Sequence, residues 1–176
     1  MSKPWILDPA HTSVDFEVSH MHVSTFHGRF GTVAGTLVLD EATPANSSLE
    51  ATVEAKSLEV RDPGLYGRLM GPDFFHAEQH PLLAYRSTKV ERRDDTHWHV
   101  EGELSLRGVT RSVPLEVEAL GGGNHPFARV PMKAFRAQGE LDRGDYGMKW
   151  NAPLDTGAKY LGERVRIRLQ VELLQR

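Results

Sequence analysis

By type and spacing, the residues best suited to chemistry are three histidines near the start of the chain. His20 and His22 stand at i and i+2, so a strand would place both imidazoles on one face. Such a pair could ligate zinc, copper or nickel, with His27 as a third donor. No Asp or Glu holds an evident partner position, and the chain has no cysteine. The run leading into the histidines suggests a different role. Val14, Phe16 and Val18 alternate with Asp15, Glu17 and Ser19, so the imidazoles continue an apolar row. On that reading they mark the polar mouth of an apolar pocket, and neither a metal site nor a cofactor is expected.

Other chemistries find less support. Ser13, Ser19, Ser24, Ser87 and Ser105 lack the strand-turn-helix elbow that exposes a serine nucleophile. The Gly121–Gly123 run precedes Asn124-His125-Pro126 rather than a lysine, so it reads as a turn and not a phosphate loop. His97 and His99 fall on a polar strand face. The densest polar cluster is ELDRGDYGMKW, residues 140–150, where Arg143 and Asp145 flank Gly144. One reading closes a pocket there and anchors a polar head; the other, preferred for the two charges, is an ion pair capping a bend. Tyr146, Met148 and Trp150 are then pocket candidates. An enzyme using His20 or Asp145 for acid–base work on a lipid-like substrate is the alternative function, ranked below binding.

These residues need elements to hold them, and the dominant signal has period two. SVDFEVSH, SLEATVEA, HWHVEGELSL, SVPLEVEA, AFRAQGELDR and ERVRIRLQVEL each alternate apolar with polar residues, as strands with one dry and one wet face do. GRFGTVAGTLVLD, broken by glycines, and LLAYRSTKVE bring the count to eight. A short helical segment is expected around residues 63–77, opened by Pro63, with Leu65, Leu69 and Met70 at helical spacing. The fold class is therefore all-β in a single domain over residues 1–176. Eight such strands can close into an antiparallel barrel or stack as a sandwich; the eight-stranded barrel is expected because closure removes exposed edges. The small residues Ala51, Ala55, Gly102, Ala119, Ala137 and Gly139 on the apolar rows leave a lumen unfilled, or else let neighbouring segments approach closely. They also argue against an outer-membrane barrel, whose apolar row would face lipid.

Composition narrows the partners. A formal charge of −3 with no basic run disfavours nucleic acid. No apolar run reaches the roughly 20 residues of a spanning helix, so no transmembrane segment is expected. The N-terminus shows no apolar signal core, which points to the cytoplasm, or to the periplasm if a leader was removed. Self-association into a homodimer is left open.

WILDPAHTSVDFEVSHM, FHGRFGTVAGTLVLD, GPDFFHAEQHPLLAYRST, VEGELSLRGVTRSVPLEVE and ELDRGDYG, in that order, resemble the YceI family of polyisoprenoid-binding proteins. The resemblance implies a lipocalin-like barrel that holds a long isoprenoid or similar amphiphile, such as a quinone or prenyl phosphate, in an interior tunnel. It does not dictate the lining, which strand parity assigns instead. The tail is expected along Phe16, Val18, Phe30, Leu69, Phe74, Phe75, Phe135 and Leu141, with Tyr146, Met148 and Trp150 beside it. His20 and Arg143 are expected nearer the mouth, facing the head group. Each buried CH₂ contributes roughly 0.8 kcal/mol, so a long chain can bind tightly with few directional contacts.

Overall fold

The computed structural model describes residues 3–175. Strand segments follow in chain order: β1 (Trp5–Leu7), β2 (Ser13–His20), β3 (Ser24–Phe30), β4 (Val33–Val38), β5 (Ser48–Glu54) and β6 (Leu58–Glu59). After helix α1 (Pro63–Met70) come β7 (Leu82–Arg92), β8 (His97–Leu106), β9 (Val109–Ser112), β10 (Leu115–Asn124), β11 (Pro131–Asp142) and β12 (Leu161–Gln175).

Pairing reduces these segments to eight strands. β1 pairs with β4 while β2 pairs with β3, so β1/β2 and β3/β4 are two neighbouring strands, each broken once. β4 then pairs with β5 and β3 with β6, and β9 and β10 both pair with β8. The ring closes on β12, which takes β11 along one edge. Along its other edge it takes β2, then β1. The result is the expected antiparallel eight-stranded barrel. The glycine-broken strand does turn a corner, between β3 and β4.

The apolar rows face inward. On β12, Val165, Ile167, Leu169 and Val171 line the interior, and Arg164, Arg166 and Arg168 stand outside. These arginines bridge to neighbouring strands: Arg164 reaches Glu140 at 3.0 Å and Arg168 reaches Glu17 at 3.4 Å. Such exposed pairs contribute little each, but they place charge on the outer surface and not apolar side chains.

Two local expectations are corrected. The helix ends at Met70 rather than near residue 77. Pro63 and the Asp62 side chain, which accepts from the Leu65 N–H at 2.8 Å, start it. Pro72 has no N–H to continue it, and residues 71–79 fold into turns, with Phe75 N–H donating to the Leu69 carbonyl at 2.9 Å. The Gly121–Gly123 run is not a turn but strand, with a bulge at Leu120. Gly122 sits where a Cβ would lie 2.6 Å from the Met132 carbonyl oxygen, so glycine permits the close approach. The chain reverses later, over residues 125–130. β1 carries too few residues for an alternation to register.

The small residues divide between the two readings. Ala51 and Ala137 border the interior space. Gly102 does not leave space: a Cβ there would fall 2.3 Å from the Tyr85 ring, which lies across it. Tyr85 in turn donates its hydroxyl to the Val113 carbonyl at 2.9 Å. Gly102→Ala is therefore expected to destabilise by about 1–3 kcal/mol through overpacking. Denaturant unfolding would show this, and an unchanged midpoint would mean the ring has room to move.

Candidate ligand-binding cavity

The barrel encloses a cavity of about 530 Å³. That lies within the roughly 300–1,000 Å³ of small-molecule sites. Its walls are the inward rows of β1, β2, β3, β4, β5, β7, β8, β10, β11 and β12, roofed by α1 and the turns that follow it. One observation shows that the space is not filled by the protein's own side chains. Val14, Phe16, Leu49, Ala51, Val53, Leu83, Phe135, Ile167 and Leu169 point inward yet are only half-buried. In a close-packed core such positions would be covered.

The two ends differ. At one end Thr12, Ser47 and Trp98 line the cavity and are buried, each about 7% exposed. At the other, Ser24, Thr25 and Arg68 line it and are exposed. The pairing explains why that end opens. β6 joins β3 only at Arg29 and Phe30, so the edge of β3 from Ser24 to Gly28 lacks a second strand partner among the described residues. Helix α1 brings Leu65, Arg68 and Leu69 onto the cavity wall. Below the mouth the aromatic rings of Phe16, Phe26, Phe30 and Phe75 cluster, with Phe16 and Phe30 centroids 5.7 Å apart and Phe30 and Phe75 5.5 Å apart.

The mouth carries the polar chemistry. His20 lines it, its ring edge-on to Tyr160 at 4.7 Å and its Nδ1 3.4 Å from Ser24 Oγ. Arg68, on α1, places its guanidinium 3.9 Å from the Trp150 ring centre, a cation–π contact. Among the described residues the lining includes two arginines and one histidine but no carboxylate.

Of the residues expected to line a pocket, Phe16, Val18, His20, Phe30, Leu69, Phe74, Phe75, Phe135, Leu141, Arg143 and Met148 are on the wall. Tyr146 and Trp150 are not. Residues 143–146 form a 3₁₀ turn, whose three-residue period breaks the strand parity used to place them. Tyr146 is 1% exposed, in the apolar cluster with Leu106 and Met148. Its hydroxyl has no hydrogen-bond partner among the described residues, and burial pushes its pKa up to about 12. Tyr146→Phe is therefore expected to leave stability unchanged or to raise it by about 1 kcal/mol; a clear loss in thermal unfolding would reveal a partner for the hydroxyl. Trp150 sits outside the rim, against Arg68, Phe74 and Tyr160.

Arg143 differs from both of its expected roles. Among the described residues its guanidinium forms no ion pair. It donates to the carbonyls of Met148 at 2.6 Å, Gly162 at 2.7 Å and Trp150 at 2.9 Å, with a longer contact to Leu161 at 3.4 Å. Burial pulls its pKa below the ordinary arginine value, with Glu163 and Asp142 opposing. It ties the loop after β11 to the start of β12. Asp145 is exposed and off the cavity wall, so it does not meet His20.

The other two histidines do not converge on His20. His22 is exposed in the β2–β3 turn. His27 lies on the outer face, with Nδ1 3.7 Å from Glu17. Elsewhere Asp8 and His11 hydrogen-bond at 2.8 Å near Glu172 in the break between β1 and β2, which lowers the Asp8 pKa and raises that of His11. Sequence reasoning missed Arg68 and Tyr160. Arg68 had a signal, since it lies three residues after Leu65 on the inward side of α1; Tyr160 lies in a loop and had none.

A family model, the YceI-like domain, matches residues 5–173, all but the extreme ends of the barrel just described. The chain belongs to the YceI-like domain family. Among relatives of this YceI-like chain, a UPF0312 protein of Vibrio parahaemolyticus is 34% identical over 118 residues, covering 67% of this chain and 62% of that protein. A UPF0312 protein of Vibrio campbellii is 32% identical over 137 residues, covering 78% and 72%. Protein YceI of Escherichia coli is 29% identical over 139 residues, covering 79% and 72%. The first of these matches spans less than two thirds of the relative's length.

Solved structures show the same YceI-like fold. Burkholderia cenocepacia BcnA superposes with a TM-score of 0.81 at 20% identity, covering 94% of this chain and 98% of that one. A polyisoprenoid binding domain from Saccharophagus degradans, implicated in plant cell wall breakdown, gives 0.68 at 13% identity, covering 99% and 100%.

Proposed function

We propose that this protein binds a long-chain isoprenoid or similar amphiphile, its tail in the barrel and its head at the His20–Arg68–Tyr160 mouth. The observation that carries the reading is the apolar cavity bordered by inward side chains left half-covered. The polyisoprenoid binding of the Saccharophagus degradans domain supports the same ligand class. An apolar tail entering this space removes wall and ligand surface from water together, at roughly 25 cal/mol per Å². Organic extracts of protein purified from its own host should contain such a lipid, read by mass spectrometry. Extracts without lipid, together with no uptake of added long-chain isoprenoids, would sink the reading.

The mouth favours an anionic head over a neutral one. Arg68 faces the opening and, among the described residues, no carboxylate lines the wall, so a prenyl phosphate meets complementary charge, whereas a quinone meets only weak hydrogen-bond donors. Arg68→Gln is expected to weaken prenyl phosphate binding about tenfold and to leave a quinone of equal length within about twofold. Titration of both ligands separates the cases. Equal losses for both would show that Arg68 packs the mouth without reading the head.

A further inference from the structure

The buried end of the lumen is not the end of the space within the barrel. A second recess of about 440 Å³ adjoins it, lined by the ends of β1, β7, β10 and β11. Leu39, Trp98 and Phe135 line both spaces, so these three side chains form the partition. Strand register shows that the recess continues the lumen. Val117 stands opposite Trp98 and faces the lumen. Ala119, two residues further along the same inward row, lines the recess and not the lumen. Past it come Gly121 and Gly123, where an added Cβ would meet nothing within 4 Å. Of the three partition residues Trp98 is the largest, and it alone is buried. It packs with Val90, Val100 and Leu115, and Arg92 of the recess places its guanidinium 5.7 Å from the ring centre.

We propose that Trp98 is the tail stop, the residue that sets how long an isoprenoid the barrel can take in full. The inference rests on the reading of the cavity as an isoprenoid site and adds the limit on chain length. At about 30 Å³ for a group the size of a water or a methylene, the 530 Å³ lumen holds roughly 15–20 carbons, or about four isoprene units. A longer tail has to enter the recess, and the indole stands in its way. The partition is apolar throughout, so removing the indole opens a passage that a hydrocarbon can follow. The charged groups of the recess pair with one another, Arg92 with Asp95 and Lys133 with Glu41, and Trp5 and Met132 supply apolar wall beside them.

Titration of the intact chain with farnesyl, geranylgeranyl and hexaprenyl phosphates, of three, four and six isoprene units, tests the stop. In the unaltered protein affinity should rise about tenfold or more from three units to four, because each added methylene is buried. From four to six it should change by less than about twofold, because the extra carbons find no apolar wall. Trp98→Ala should raise the four-to-six step to about tenfold or more. Trp98→Leu keeps an apolar side chain, protects the fold should alanine not be tolerated, and should shift the step in the same direction. The double variant Trp98→Leu/Ala119→Trp refills the recess. It should flatten the four-to-six step again while keeping affinity for four units. A steep four-to-six step already in the unaltered protein, or a flat one in folded Trp98→Leu, overturns the assignment of Trp98 and leaves the cavity reading in place. If the unaltered protein binds none of the three, the cavity reading falls, and the tail stop with it.

Discussion

Arg143→Ala is expected to lower the unfolding free energy by about 3–5 kcal/mol, the cost of leaving one buried and two part-buried acceptors without a charged donor. The three short bonds to Met148, Gly162 and Trp150 all end on backbone carbonyls. No substitution removes those carbonyls, so a methionine of similar length should rescue little. Lysine keeps the charge but presents one point donor where the carbonyls surround a planar fork, and should recover part of the loss. For a chain of 176 residues the change corresponds to a melting point lower by roughly 10–15 °C. Circular dichroism on the alanine, methionine and lysine forms provides the series. A shift under about 2 °C for alanine would show that water satisfies the carbonyls and that Arg143 is free to serve the ligand.

Ala51→Trp should abolish tight binding while sparing the fold. Ala51 lines the cavity on β5, opposite Gly35 and Tyr85. An indole there occupies the lumen across its width. If a bound chain loses the burial of about five methylenes at roughly 0.8 kcal/mol each, affinity drops about 100- to 1,000-fold. Thr52→Trp is the matched control: one residue along the same strand, its side chain points to solvent and binding should persist. The two isotherms, read beside their melting curves, decide the matter. Equal affinity for both variants, with both folded, would place the ligand outside the barrel.

How much of this was legible beforehand follows from where period two holds. Within β2, β11 and β12 each residue's face can be counted along the strand, so Phe16, Val18, Phe135 and Leu141 were placed on the inner wall correctly from alternation. The counting failed at residues 143–150, where a 3₁₀ turn replaces the strand and sends Tyr146 into the neighbouring apolar cluster. It failed for Gly102 because a missing side chain looks the same whether it leaves a void or accepts the ring of Tyr85. For Arg143, charge in a turn suggested an ion pair; its actual partners are carbonyls up to 19 residues away.

The sequence by itself determined an all-β barrel, its eight-strand count, the apolar character of its inner face and its membership of a family. These are local properties: alternation, turn residues and short motifs each act within about ten residues. Only the tertiary structure decided that the lumen is not filled by the protein's own side chains, that it opens beside β3, and that Arg68 rather than Arg143 is exposed at the mouth. Those depend on closure of the ring and on which distant backbone groups remain unpaired once it closes. Residue order constrains such features only through the whole packed arrangement.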